Sequence, residues 1–283
     1  GDAKTQAANF AAQIALAPDQ TLPPALDIEV AEGKSAAQLE QWIEEFTSEL
    51  KRLTGRTPMI YTYKYFWMGQ MNNSQKFSEM PLWLAAYQDQ APDAVGGWNK
   101  LSFWQRSGSG KVAGIPTDVD MNLFNGSKQQ LQSFSDGNYV DVGGALEQLV
   151  VSDGLDLSSD STPLIGAILA LAAGLIALPQ LADAAEKSGL DPQAAQGLAG
   201  FVKTLQDKDA LPVEDLGDMA KGDFSVSDLA ILLDNAGHVN NVKSGNVSES
   251  EVSEAKNAAK KAGADIPDFD AGQVATLLNR VLQ

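Results

Sequence analysis

The chain has 283 residues, 44% of them apolar, which is enough for two domains with a core in each. Its net charge of -17 excludes a basic face for nucleic-acid phosphates. With no Cys and a single His, it has no material for disulfides, a Cys/His zinc site or a Ser-His-Asp triad in its first half, and carboxylate chemistry is what these residues can supply.

Composition divides the molecule. All five Trp and four of the five Tyr lie within residues 1 to 135, whereas residues 136 to 283 contain Tyr139, Phe201, Phe224 and Phe269 as their aromatics. Residues 1 to 135 carry a net charge of -3 and the remainder -14. A boundary at residues 135–138 follows, giving domains 1–134 and 135–283.

The apolar positions Ala7, Phe10, Ala11, Ile14 and Leu16 predict a first helix. Next comes Leu22-Pro23-Pro24-Ala25-Leu26-Asp27-Ile28-Glu29. Alternate strand residues share a face, so Asp27 and Glu29 project together with Cα atoms ~6–7 Å apart, while Leu26 and Ile28 pack the other way. Ser35 with Gln38 has the capping-box spacing, Leu39, Trp42, Ile43, Phe46, Leu50 and Leu53 recur at helical intervals, and Gly55 supplies the stop. These signals predict a helix over 35–54.

Short strands are expected over 58–62, 81–87, 101–105 and 111–115. Strands therefore alternate with helices first and then follow one another directly, as in a barrel whose later part is antiparallel. Trp83 and Tyr87 share a strand face and can offer rings to sugar CH groups, Trp104 suits the core, and Asp118 and Asp120 alternate onto one face, with Asp118 expected in solvent.

Five segments occur in order: the Asp27-Ile28-Glu29 run, Ile60-Tyr61-Thr62-Tyr63, Pro81-Leu82-Trp83-Leu84-Ala85-Ala86-Tyr87, Phe103-Trp104-Gln105 and Val119-Asp120-Met121-Asn122-Leu123-Phe124. Together they resemble glycoside hydrolase family 25, the muramidase-type lysozymes, from about residue 1 to Phe134. The resemblance implies an α/β fold, an irregular TIM-like β/α barrel with active-site residues at strand C-terminal ends. It implies cleavage of the β-1,4 bond between N-acetylmuramic acid and N-acetylglucosamine in peptidoglycan, outside the cell or in its wall, with no metal or cofactor. Carried over residue by residue, it makes Glu29 the general acid/base, Asp27 the neighbouring support for an oxocarbenium-like centre and Asp120 a further acid. Tyr61, Tyr63, Trp83, Tyr87 and Gln105 become substrate-binding residues. A carboxylate nucleophile and the substrate's own N-acetyl group are both compatible with this set.

The family's opening strand, with its Gly-x-Asp, has no counterpart here, so the expectation is a fragment whose barrel is incomplete at its N-terminus. That leaves a competing expectation of a wall-binding or structural protein without turnover, and another of a hydrolase acting on a different polysaccharide.

The second half is expected to be an acidic all-helical domain of five to seven helices. Capping signals stand at Asp191-Pro192, Ser225 with Asp228 and Ser248 with Glu251, and apolar stripes run through Val226, Leu229, Leu232, Leu233 and through Val274, Leu277, Leu278, Val281. His238 reads as a structural residue at a helix end. The Asp-rich stretches 207–218 and 265–270 lack the spacing of a calcium loop. Residues 161–182 carry no charge, but their Pro-bounded core of 15 residues is shorter than the ~20 that cross a bilayer. A buried central helix is the preferred reading over membrane association, and the oligomeric state is not encoded in any recognisable feature.

Overall fold

The computed structural model describes residues 1–151 and 156–238. The chain divides into two compact units, Gly1–Leu155 and Asp156–Gln283. This division falls later than the composition shift because residues after Phe134 return to the first unit. Gly143 N donates to Asn125 O (2.6 Å), Val151 N donates to Asp89 O (2.9 Å), and Lys100 Nζ reaches Val142 O.

The first unit opens with helix α1 (Ala3–Ala15), capped by Asp2, whose carboxylate accepts from Thr5 N at 2.7 Å. Strand β1 (Ala25–Asp27) follows, then helix α2 (Ala36–Thr54). The capping box of Ser35 with Gln38 is present, and Gly55 ends α2 at φ 72°, a conformation that a side chain would strain. Leu39, Ile43, Phe46 and Leu50 are buried as their spacing predicts. Trp42 is half-buried, stacked on Phe46 and bonded to Gly1 O.

Strands β2 (Met59–Tyr63), β3 (Leu82–Ala85), β4 (Phe103–Gly110) and β5 (Val119–Phe124) complete one sheet in the order β1-β2-β3-β4-β5. The first four are parallel, and β5 runs antiparallel to β4. The switch from parallel to antiparallel pairing follows the order read from the sequence. Among the described residues the sheet is open, with β1 and β5 at its edges, so closure into a barrel is not seen there.

Residues 111–115, expected as a strand, instead form the turn between β4 and β5. Gly114 lies at φ 90°, Pro116 has no N–H to give a ladder, and Ile115 N bonds back to Val112 O. Lys111 pairs with Asp118 across the base of this turn, which keeps Asp118 on the exposed side as expected. A π-helical turn (Phe66–Gln70) after β2 seats Trp67 in the core, its Nε1 donating to Ser74 O at 2.9 Å. Helix α3 (Lys128–Ser135) follows β5.

In the second unit the described residues form α4 (Thr162–Ala172), α5 (Leu178–Lys187), α6 (Pro192–Asp207), α7 (Val213–Met219) and α8 (Val226–His238), with one bridge between Asp160 and Ser225. The caps expected at Asp191 and Ser225 form: Asp191 accepts from Gln193 N and Ala194 N, and Asp228 accepts from Ser225 N and Oγ. The signals at Ser248 and Val274, the stretch 265–270 and the side chain of His238 lie outside the described residues.

The uncharged segment is two helices. Gly174 at φ 71° ends α4, and Pro179 sits in the first turn of α5. Every residue from Leu164 to Ala172 is buried, as an apolar helix surrounded by its neighbours must be. No helix among the described residues is long and apolar enough to cross a membrane. Ile168 is fully buried, so Ile168→Ala is expected to lower unfolding free energy by about 2–5 kcal/mol in urea denaturation. A loss below ~1 kcal/mol would mean that α4 is not a packed centre.

Candidate active site

The strand register assembles the site. Asp27 lies opposite Tyr61, Tyr61 opposite Trp83, Trp83 opposite Phe103, and Phe103 opposite Phe124, which makes one lateral row across all five strands. The next row on the same face contains Tyr63, Ala85, Gln105 and Asn122. Between them run Thr62, Leu84 and Trp104 on the opposite face, all fully buried. Trp104, expected in the core, donates Nε1–H to Ala86 O at 2.8 Å.

The acid-bearing end of β1 is held from two sides. Ile28 N extends the ladder one residue past β1 by donating to Tyr61 O (3.0 Å), and Glu29 follows it. Upstream, the Arg56 guanidinium gathers the carbonyls of Gln20, Thr21 and Leu22, fixing the loop that enters the strand. Pro23 and Pro24 are buried behind it.

Tyr61 is where the predicted residues meet. Its hydroxyl donates to Gln105 Oε1 at 2.8 Å, and its ring packs edge-on to Trp83 with centroids 4.9 Å apart. Burial first, then the negative charges of Glu29 and, more weakly, Asp27 and Asp120, together with Tyr87, hold the phenol far above its ordinary range. Three carboxyls from β1 and β5 thus act on one neutral phenol. Burial alone raises the Asp27 carboxyl above its ordinary range. The Asp27 residue is nonetheless exposed to solvent. Asp120 is exposed on β5.

Trp83 is half-exposed and donates Nε1–H to Asn122 Oδ1 at 2.9 Å, while Asn122 Nδ2 reaches Asp120 O. Asn122 is therefore a site residue that the sequence reading passed over. The alternation that paired Asp27 with Glu29 applies equally to Asp120 and Asn122, and would have found it. Tyr87 is half-buried, its hydroxyl donating to Gln105 Oε1 at 3.3 Å. Gly108 makes room for it, since a Cβ there would stand 3.0 Å from the Tyr87 hydroxyl.

Two of the residues expected to bind substrate are buried. Tyr63 shares the face of Tyr61 and is 1% exposed, stacked at 6.4 Å on Phe66 and near Tyr65. Gln105 is 4% exposed and accepts from Tyr61 and Tyr87. Among the described residues no group of three or more His, Cys, Asp or Glu is arranged to hold a metal ion.

Because folded Asp27 keeps its proton above the ordinary value of 3.8, the folded state binds more protons than the unfolded state at pH values between the two midpoints. Stability then falls as pH rises through that window. Asp27→Asn is expected to raise the urea midpoint at pH 7, with the gain vanishing as the pH approaches about 4 and below. A gain that grew on acidification would show the shift to have the opposite sign.

Residues 1–115 match the sequence model of glycosyl hydrolases family 25. The Escherichia coli K12 protein YegX, itself uncharacterized, is 37% identical over 116 residues, covering 41% of this chain and 41% of its own length. Lysozyme M1 of Streptomyces globisporus is 36% identical over 122 residues, covering 40% of this chain and 41% of the lysozyme. The crystal structure of the bacterial lysozyme from Streptomyces coelicolor is 33% identical, covers 41% of this chain and 57% of that one, and superposes with a TM-score of 0.40. The chain thus spans between two fifths and three fifths of the length of these relatives. Over residues 1–115, then, the chain is similar to glycosyl hydrolases family 25.

Proposed function

We propose that this chain carries part of a peptidoglycan muramidase that hydrolyses the β-1,4 bond between N-acetylmuramic acid and N-acetylglucosamine, acting outside the cell or in its wall. The observation that carries this reading is the strand register that sets Asp27 abreast of Tyr61 and Tyr61 abreast of the half-exposed Trp83, whose ring it meets. The same reading takes the open sheet as part of an irregular β/α barrel.

A glycosidase needs one carboxyl that keeps its proton to pass to the leaving oxygen, and an ionised one to face the positive charge that develops at the anomeric carbon. Asp27 and Glu29 stand two residues apart, and burial raises the proton affinity of the Asp27 carboxyl. In this reading Glu29 donates the proton to the leaving oxygen and later removes one from water. Asp27 and Asp120 supply negative charge around the ring, while Trp83, Tyr61 and Tyr87 line the groove. Trp83 offers a ring to the apolar face of a sugar and is fixed in angle by Asn122.

A β1 strand at the sheet edge favours one competing reading, a wall-binding protein without turnover. Exposure of purified cell wall to the chain separates the two. Muramidase action releases new reducing-end N-acetylmuramic acid, and Glu29→Gln is expected to reduce that release by about 10²-fold or more while sugar binding persists. Turnover retained in Glu29→Gln would remove Glu29 from its role, and binding without release by the unaltered chain would favour the wall-binding reading.

A further inference from the structure

Trp83 and Asn122 stand on β3 and β5 with β4 between them, since Trp83 is abreast of Phe103 and Asn122 of Gln105. Two strand spacings are about 10 Å, so the indole meets Asn122 only by leaning over β4. There its Nε1–H donates to Asn122 Oδ1 at 2.9 Å. The other end of the same amide, Nδ2, donates to the Asp120 carbonyl at 3.3 Å. An indole N–H can only donate and a backbone carbonyl can only accept, so a single orientation of the Asn122 amide serves both. The Asp120 carbonyl belongs to β5, which the ladder to β4 holds in place. Backbone anchors the amide, and the amide anchors the ring.

Tyr61 and Phe103, from the flanking strands, meet the half-exposed indole with centroids 4.9 and 6.1 Å away and planes inclined by 66° and 53°. Among the described residues, then, no ring lies flat on Trp83. An indole has one N–H, and Asn122 holds it, which leaves the π face for a ligand. Taking the ligand from the muramidase reading, we propose that Asn122 is a positioning residue: it keeps Trp83 leaning over β4 and withholds the indole N–H, so that Trp83 binds the CH face of an uncharged N-acetyl sugar by stacking alone. Asn122 acts through Trp83 and makes no contact with the sugar. An Asp at this position would keep the acceptor for the indole and lose the donor to the Asp120 carbonyl, whereas Leu would lose both.

Calorimetric titration of the intact chain with the tetrasaccharide of N-acetylglucosamine, read together with the indole N–H resonance of Trp83 in NMR, tests this without requiring turnover. Asn122→Leu is expected to weaken binding by about 3- to 10-fold, and to move the Trp83 N–H resonance upfield with faster exchange into water. Asn122→Asp, which keeps the acceptor, is expected to lose less affinity and to leave that resonance near its place. In Trp83→Phe, which keeps a ring but has no N–H, adding Asn122→Leu should change affinity by less than about 2-fold. An equal loss in both backgrounds overturns the proposal, because it would put Asn122 on the sugar itself. Unchanged affinity in Asn122→Leu overturns it, and so does an unaltered chain that does not bind the tetrasaccharide. Should Asn122→Leu fail to fold, Asn122→Ala takes its place with the same expectations. A chain that binds in this pattern yet releases no muramic acid from cell wall keeps Asn122 in its role and rejects the muramidase reading; one that releases muramic acid with an affinity indifferent to Asn122 does the reverse.

Discussion

The lateral register of the parallel strands is the constraint on which the rest of the molecule depends. It sets Asp27, Tyr61 and Trp83 abreast on one face and sends Thr62, Leu84 and Trp104 to the other. A slip of one residue in β1 would turn Asp27 into the core and Leu26 into the cleft. The register is fixed by burial on the opposite face, where Leu26, Ile60 and Leu82 are almost wholly removed from water. It is fixed also at the ends of β1, by Arg56 on the carbonyls before it and by Ile28 N on Tyr61 O after it. The acids can thus occupy unfavourable positions because apolar packing elsewhere determines where they stand.

The cleft follows from that placement. Burial raises the proton affinity of the Asp27 carboxyl, and the phenol of Tyr61 stays neutral. Rings from Tyr61 and Trp83 meet edge to face, a stable arrangement that leaves the Trp83 ring partly open to ligand. Tyr61 and Tyr87 donate to Gln105, and Trp83 donates to Asn122. These bonds orient the aromatic side chains.

Periodicity read from the residues located α1, α2 and the strands around Tyr61, Trp83 and Trp104; burial follows that pattern closely in α2 and the strands, while in α1 only Ala3 and Ala7 are buried. The same periodicity put Tyr63 beside Tyr61 but could not show that the π-helical turn covers it; that covering depends on contacts among Tyr65, Phe66 and β2 that no period encodes. Alternation gave Gln105 its face but not its depth, and it is buried. Residues 111–115 were read as a strand on Val112 and Ile115, yet Gly114 and Pro116 make them a turn, a signal present in the sequence. In the second unit the apolar run was correctly read as buried, and Gly174 with Pro179 marks where it divides into two helices.

The most direct measurement is a crystal structure of the Glu29→Gln chain with a peptidoglycan-derived tetrasaccharide. A glycosidic oxygen within hydrogen-bond reach of the side chain at position 29, about 2.6–3.2 Å, with a sugar face against Trp83, is the expected arrangement. A saccharide bound away from the row of Asp27, Tyr61 and Trp83 would contradict it.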